Sequence, residues 1–181
     1  MQRVFFGIPV DPATQRQIND LLIPIKSSIQ AVHWVPEQNR HLTLAFLGNR
    51  STGVVENLIH SMDRVYQPEE VFQTGYASLR RFPGSSGNIL ALEFRVDDRL
   101  ATLFQVTQEL LVENGFEFSR TQFRPHITLG RLKKGSRLKT TLNQQTKISL
   151  QVGKVTFYQS TLTRGGSIYL ALKETVLHPC G

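Results

Sequence analysis

Hydrophobic and polar positions alternate along this chain with two different periods. Val4 to Val10, in "RVFFGIPVD", is β-branched and aromatic and reads as a strand. Asp11 follows as an N-cap and Pro12 as a first helical position, opening a helix to about Ser28 with Ile18, Leu21, Leu22 and Ile25 on one face. Pro24 is expected to kink or shorten that helix. "VHWVPEQNR" reads as a loop or short edge strand, and His41 to Leu47 as a strand closed by Gly48-Asn49. Helical spacing returns from Thr52 to about Tyr66 through Val55, Leu58, Ile59 and Met62, and Val71 to Leu79 is extended again.

The second half repeats this order. Ile89 to Val96 is a strand, Asp97 or Asp98 caps a helix to Asn114, and Gly115 stops it. "FEFSRTQFR" connects to a strand from His126 to Leu132. "KKGSRLKTTLNQQT" is polar, a loop or short helix; Ile148 to Ser160 makes one long strand or two; "RGG" turns into a last strand from Ile168 to Leu172. His41 and His126 are 85 positions apart, as are Val4 and Ile89. The pattern reads as a degenerate internal duplication within a single domain of residues 1–181, the copies covering about 4–79 and 89–172. Two strand–helix–strand copies imply two lobes related by an approximate twofold axis.

The duplicated strands carry "HLTL" from His41 and "HITL" from His126. In a strand, residues i and i+2 share a face. His41 with Thr43, and His126 with Thr128, therefore project from one face, while Leu42, Leu44, Ile127 and Leu129 enter the other. A single such histidine is ordinarily a surface or core residue. Two in equivalent places of a duplicated unit would meet in a cleft between the lobes. Imidazole titrates near 6.5, so one ring serves as base and the other as acid. Threonine hydroxyls donate to the non-bridging oxygens of a phosphate and stabilise charge as it develops there. In-line displacement at phosphorus places attacking and leaving oxygens on opposite sides, which two twofold-related histidines match. A strained five-membered 2′,3′-cyclic phosphate, with its internal leaving group, fits such a site. Which histidine is acid and which base stays open on this argument.

Composition sharpens this only a little. Among 181 residues, 21 basic against 14 acidic side chains give a net charge of +7, which favours anionic partners without choosing among them. Cys180 is the one cysteine, so no internal disulfide or cysteine-based zinc cluster is expected, and a reducing, cytoplasmic setting is. The opening "MQRVFFGIPVDPATQ" lacks a leader's cleavage region, and no apolar stretch reaches membrane-spanning length. No metal and no cofactor are expected, because no third ligand stands at suggestive spacing beside the two histidines.

"RHLTLAFLG" and "RPHITLGRL", with "RVFFGIPVD", the "WVP" before the first motif and a late Gly-turn-Tyr strand around Gly165 and Tyr169, resemble the two-histidine phosphoesterase superfamily. Within it the match is to the bacterial and archaeal RNA 2′,3′-cyclic phosphodiesterases, historically called 2′-5′ RNA ligases. The resemblance covers nearly the whole chain. It implies a bilobal α+β fold with antiparallel sheets lining a central groove and helices outside. It also implies metal-independent opening of the cyclic phosphate to a 2′-phosphomonoester, with 2′-5′ ligation as the reverse-type reaction. By this resemblance His41 protonates the departing 3′ oxygen, His126 activates water, and Thr43 and Thr128 hold the phosphate.

Other substrate contacts are weaker. Arg124, two residues before His126, can share its face, whereas Arg131, five residues after it, does so only if the strand bulges or ends. The cations of "RLKKGSRLK" could track an RNA backbone. Trp34, Phe123, Tyr158 or Tyr169 could stack on a base, with Tyr158 the chosen contact. His33, His60 and His178 receive no role. The expected partner is RNA or a nucleotide ending in a 2′,3′-cyclic phosphate, bound by a monomer away from membranes. The alternatives are another small cyclic or 2′-5′ phosphodiester, or a module that binds RNA ends without turnover.

Overall fold

The computed structural model describes residues 1–29, 32–84, 87–118, 122–133, 144–164 and 166–179. In chain order the elements are β1 (Gln2–Pro9), α1 (Pro12–Ser28), β2 (Val32–Trp34), a 3-10 turn (Glu37–Asn39), β3 (His41–Arg50), α2 (Thr52–Tyr66), β4 (Phe72–Gln73) and β5 (Ser78–Phe82). They continue with β6 (Ile89–Glu93), α3 (Asp98–Glu113), β7 (His126–Leu132), β8 (Gln144–Gln145), β9 (Gln151–Val152), β10 (Lys154–Thr163) and β11 (Gly166–Val176). The cations of "RLKKGSRLK" from Lys134 onward lie outside the described residues.

The helices begin where the caps predict. The Asp11 carboxylate accepts from the backbone N–H groups of Ala13 and Thr14, both at 3.0 Å, and Asp97 accepts from Leu100 at 2.9 Å. α3 gives way at Gly115, whose φ of 82° is left-handed. Pro24 does not end α1 early: the helix runs on to Ser28.

The main sheet runs β11-β10-β1-β3-β7-β6-β5-β8, with β2 added beside β7, and every pairing in it is antiparallel. Within it β3 and β7 join two four-stranded halves through one pair, Leu42 with Ile127. That pair marks a pseudo-twofold axis. His41 lies opposite Pro9 and Thr43 opposite Gly7, while His126 lies opposite Glu93 and Thr128 opposite Ala91. Each half even skips one residue at the same point, Leu44 in β3 and Leu129 in β7.

Three expectations are corrected. The offset of 85 holds for the histidine strands but falls to 84 for their neighbours, since Phe6 opposite Ala45 corresponds to Leu90 opposite Gly130. A slip of one would turn every side chain to the other face, and the burial of Phe6, Ile8, Leu90 and Leu92 agrees with 84. Second, the segment from Val71 to Leu79 is two short strands, because residues 74 and 77 bond instead to the carbonyls of Leu150 and Ile148. Third, β6 stops at Glu93, not Val96: the next pairing partner is Pro125, which has no N–H for the ladder.

The outer strands are exchanged between copies. β5, from the first half of the chain, pairs with β6, and β10, from the second, pairs with β1. Beneath the sheet, the leucines and isoleucines of the helices meet Val4, Phe6, Ile8, Leu42, Leu90, Leu92 and Ile127 in one apolar core. α2 and α3 are joined by the buried Tyr66 hydroxyl donating to Thr107 Oγ1 at 2.9 Å.

Candidate active site

The opposite face of the sheet carries both His-x-Thr pairs. His41, Thr43, His126 and Thr128 all line one cleft of about 770 Å³, within the range of small-ligand sites. Both imidazoles are held alike. His41 Nδ1 lies 2.8 Å from the Asn39 carbonyl and His126 Nδ1 lies 2.8 Å from the Arg124 carbonyl, each two residues upstream. A carbonyl only accepts, so Nδ1 carries the proton in both rings and Nε2 is left for the cleft.

Each ring also rests on aromatics, but different ones. His41 packs against Phe5 at 4.7 Å and edge-on to Tyr169 at 5.1 Å. His126 stacks on Phe82 at 3.9 Å, with the Arg124 guanidinium 4.4 Å from the Phe82 ring centroid. Burial pushes the His41 pKa down to about 4, against the opposing pull of the Asn39 carbonyl, and the nearby His126 lowers it further. Burial also lowers His126, with the Arg124 carbonyl and the Glu93 carboxylate pulling the other way and the Arg124 charge adding to the drop. The protein's own surroundings therefore favour neutral imidazoles at both positions near pH 7.

Around them the described lining contains Arg3, Arg131 and Arg164 and no carboxylate, so the cleft favours an anion. Arg131 reaches it because of the skip at Leu129, which shifts the strand's alternation and returns residue 131 to the face of His126. The bulge that would bring Arg131 into the site is present.

Arg124 and Tyr158 are not among the residues that line the cleft. Arg124 donates from Nε and Nη2 to Glu93 Oε1 at 2.9 and 2.6 Å, and from Nη1 to the Pro83 carbonyl at 2.7 Å. These bonds brace the segment whose carbonyl holds His126. Tyr158 is stacked on Phe5 at 4.9 Å and supports the floor under His41. Trp34 and His33 do line the cleft, and Trp34 sits directly over Gly130, where an added Cβ would stand 3.1 Å from its ring and 2.5 Å from Val32 Cγ1. Sequence reasoning missed Arg3 and Phe46. The signal was available in the alternation of "RVFF", which puts Arg3 on the face of Phe5.

Elsewhere His60 and His178 are exposed, each with Nδ1 beside a nearby carbonyl, outside the cleft. No helix among the described residues is long and apolar enough to cross a membrane.

Known proteins share this architecture. A profile of the family described as LigT like Phosphoesterase matches residues 8–88 and 92–169. The chain is 29% identical over 179 residues to a Thermotoga maritima protein named RNA 2′,3′-cyclic phosphodiesterase, covering 95% of this chain and 94% of that one. It is 29% identical over 186 residues to the Escherichia coli protein of the same name, covering 97% of each. The crystal structure of E. coli LigT in apo form superposes with a TM-score of 0.78 at 29% identity, covering 98% of both chains. The same protein complexed with 3′-AMP gives 0.76 at 28% identity, covering 97% of this chain and 98% of that one.

Proposed function

The chain belongs to the LigT-like phosphoesterase family, and on that premise we propose that it hydrolyses RNA or nucleotide 2′,3′-cyclic phosphate ends to 2′-phosphomonoesters by paired-histidine acid–base catalysis. The observation that carries this is the pair of Nδ1-anchored imidazoles on either side of Leu42 and Ile127, each with a threonine two residues on, in a cleft lined by arginines.

His126 Nε2 takes a proton from water as its oxygen attacks phosphorus. The bond from phosphorus to the 3′ oxygen breaks, and His41 gives its Nε2 proton to that oxygen. The ring charges exchange, and solvent restores them. Thr43 and Thr128 donate to the non-bridging oxygens as charge builds there. His41 must arrive protonated, and the incoming phosphate supplies the reason: its negative charge favours imidazolium in a site that otherwise suppresses it. A ribose hydroxyl in place of water gives 2′-5′ ligation by the same steps. No step needs a metal. We read the protein as one bilobal, internally duplicated domain, with copies of about 4–79 and 89–172, working as a cytoplasmic monomer.

The test is product identity. A short RNA ending in a 2′,3′-cyclic phosphate, incubated with the protein in EDTA, is followed by phosphorus NMR. A 2′-phosphate supports the reading. A 3′-phosphate overturns the regiochemistry, and loss of turnover in EDTA overturns metal independence. Binding without turnover favours an RNA-end binding module.

A further inference from the structure

Phe46 is 55% exposed, although it stands on the cleft face of a central strand. The guanidinium of Arg3 covers one side of its ring, 4.8 Å from the centroid. Both residues line the same cleft as the two histidines. The pseudo-twofold axis carries Phe46 of β3 onto Arg131 of β7, each five residues past its histidine. The two arms of the cleft therefore differ: one carries Arg131 at this position, the other an open aromatic ring backed by a cation.

Phe46 is three residues beyond Thr43, about 10 Å along the strand at most. That is beyond the phosphate held between the threonines and within reach of the next nucleotide. Trp34, the aromatic of the other arm, is committed elsewhere: it is seated on Gly130, packs against the core and has the Lys26 ammonium 5.6 Å from its centroid. Phe46 has no such duty on its free side. A base stacks on an exposed aromatic face whatever its identity, and an arginine beside it can take the connecting phosphate.

We propose that Arg3 and Phe46 form a nucleotide subsite for the residue 5′ of the reacting ribose, the base lying on Phe46 and the linking phosphodiester on Arg3. This rests on the cyclic phosphodiesterase reading above. It makes the protein select oligonucleotide ends over cyclic mononucleotides, with little discrimination between bases.

The test compares kcat/KM for a dinucleotide ending in a 2′,3′-cyclic phosphate with that for a nucleoside 2′,3′-cyclic monophosphate. The wild type is expected to prefer the dinucleotide. Phe46→Ala should lower that preference about ten-fold, since stacking on one aromatic contributes on this scale. Phe46→Trp should retain it, and Arg3→Gln should reduce it with a weaker salt dependence. Equal losses on both substrates, or a preference untouched by Phe46→Ala, would overturn the subsite while leaving the phosphodiesterase reading intact. Turnover of neither substrate by the wild type would overturn the reading beneath it.

Discussion

Leu42 and Ile127 face each other across the seam between β3 and β7, and each is the residue that follows a cleft histidine. One backbone pair therefore fixes the relative position of both imidazoles. Their rings are set further by carbonyls from the same two strands' approaches, Asn39 and Arg124. The site is built on strands rather than loops, which suits chemistry that needs two groups held at opposite ends of one phosphorus centre.

The pH dependence follows from the direction of the two shifts. Both imidazoles lie below 6.5 in the free protein, His41 at about 4. A bell-shaped kcat/KM reports the free protein, so its maximum should fall below pH 6.5. Bound phosphate favours the protonated rings, so the kcat profile should be displaced to higher pH. Coincident profiles centred above 7 would contradict the buried, neutral pair.

The same shifts bear on stability. A histidine with a depressed folded pKa binds fewer protons folded than unfolded. Its contribution is present above about 6.5 and lost as pH falls toward the folded value. His41→Gln should therefore flatten the decline of Tm between pH 6.5 and 4. A decline equal to the wild type's would show that His41 takes no part in it.

Thr43→Val and Thr128→Val keep the shape of the side chain and remove its hydroxyl. Each should lower kcat by up to about 10²–10³-fold, the scale of one lost donor to a developing anion, with Ser restoring most of it. A rise in KM alone would mean the hydroxyls bind ground state and transition state equally.

Arg124 offers a different kind of test, because it reaches the chemistry only through His126. Arg124→Ala removes the bonds to Glu93 and Pro83 and the cation over Phe82. kcat should fall about ten-fold or more while KM changes little, since small misplacements of a catalytic group are costly. Lys should rescue poorly, lacking the planar fork. A KM effect that Lys restores would instead place Arg124 on the substrate.

Much of this was legible in the sequence. The histidine strands, the helix caps at Asp11 and Asp97 and the inward leucines all follow from local periodicity and hydrogen-bonding needs. What was not legible depends on partners distant in the chain. Arg131 faces the cleft because Leu129 is skipped in pairing with β6, and no feature of "HITLGRL" itself announces that. Arg124 was assigned by parity to the substrate face, yet Glu93, 31 positions away, claims its side chain. The exchange of β5 and β10 between halves is a matter of topology, which local periodicity does not carry. Phe46 stands on the cleft face because its strand skips a residue on either side of it in pairing with β1, a register set by β1 and not by its own sequence.

The central claim is that the two histidines act as one acid–base pair. It is tested most directly by single-turnover rates for His41→Ala, His126→Ala and the double variant, on an RNA ending in a 2′,3′-cyclic phosphate and in EDTA. Each single change should cost about 10²–10⁴-fold, with substrate affinity little altered. The double should cost much less than the product of the two, because groups that act as a unit are not additive. A near-wild-type rate for either single variant would contradict the account.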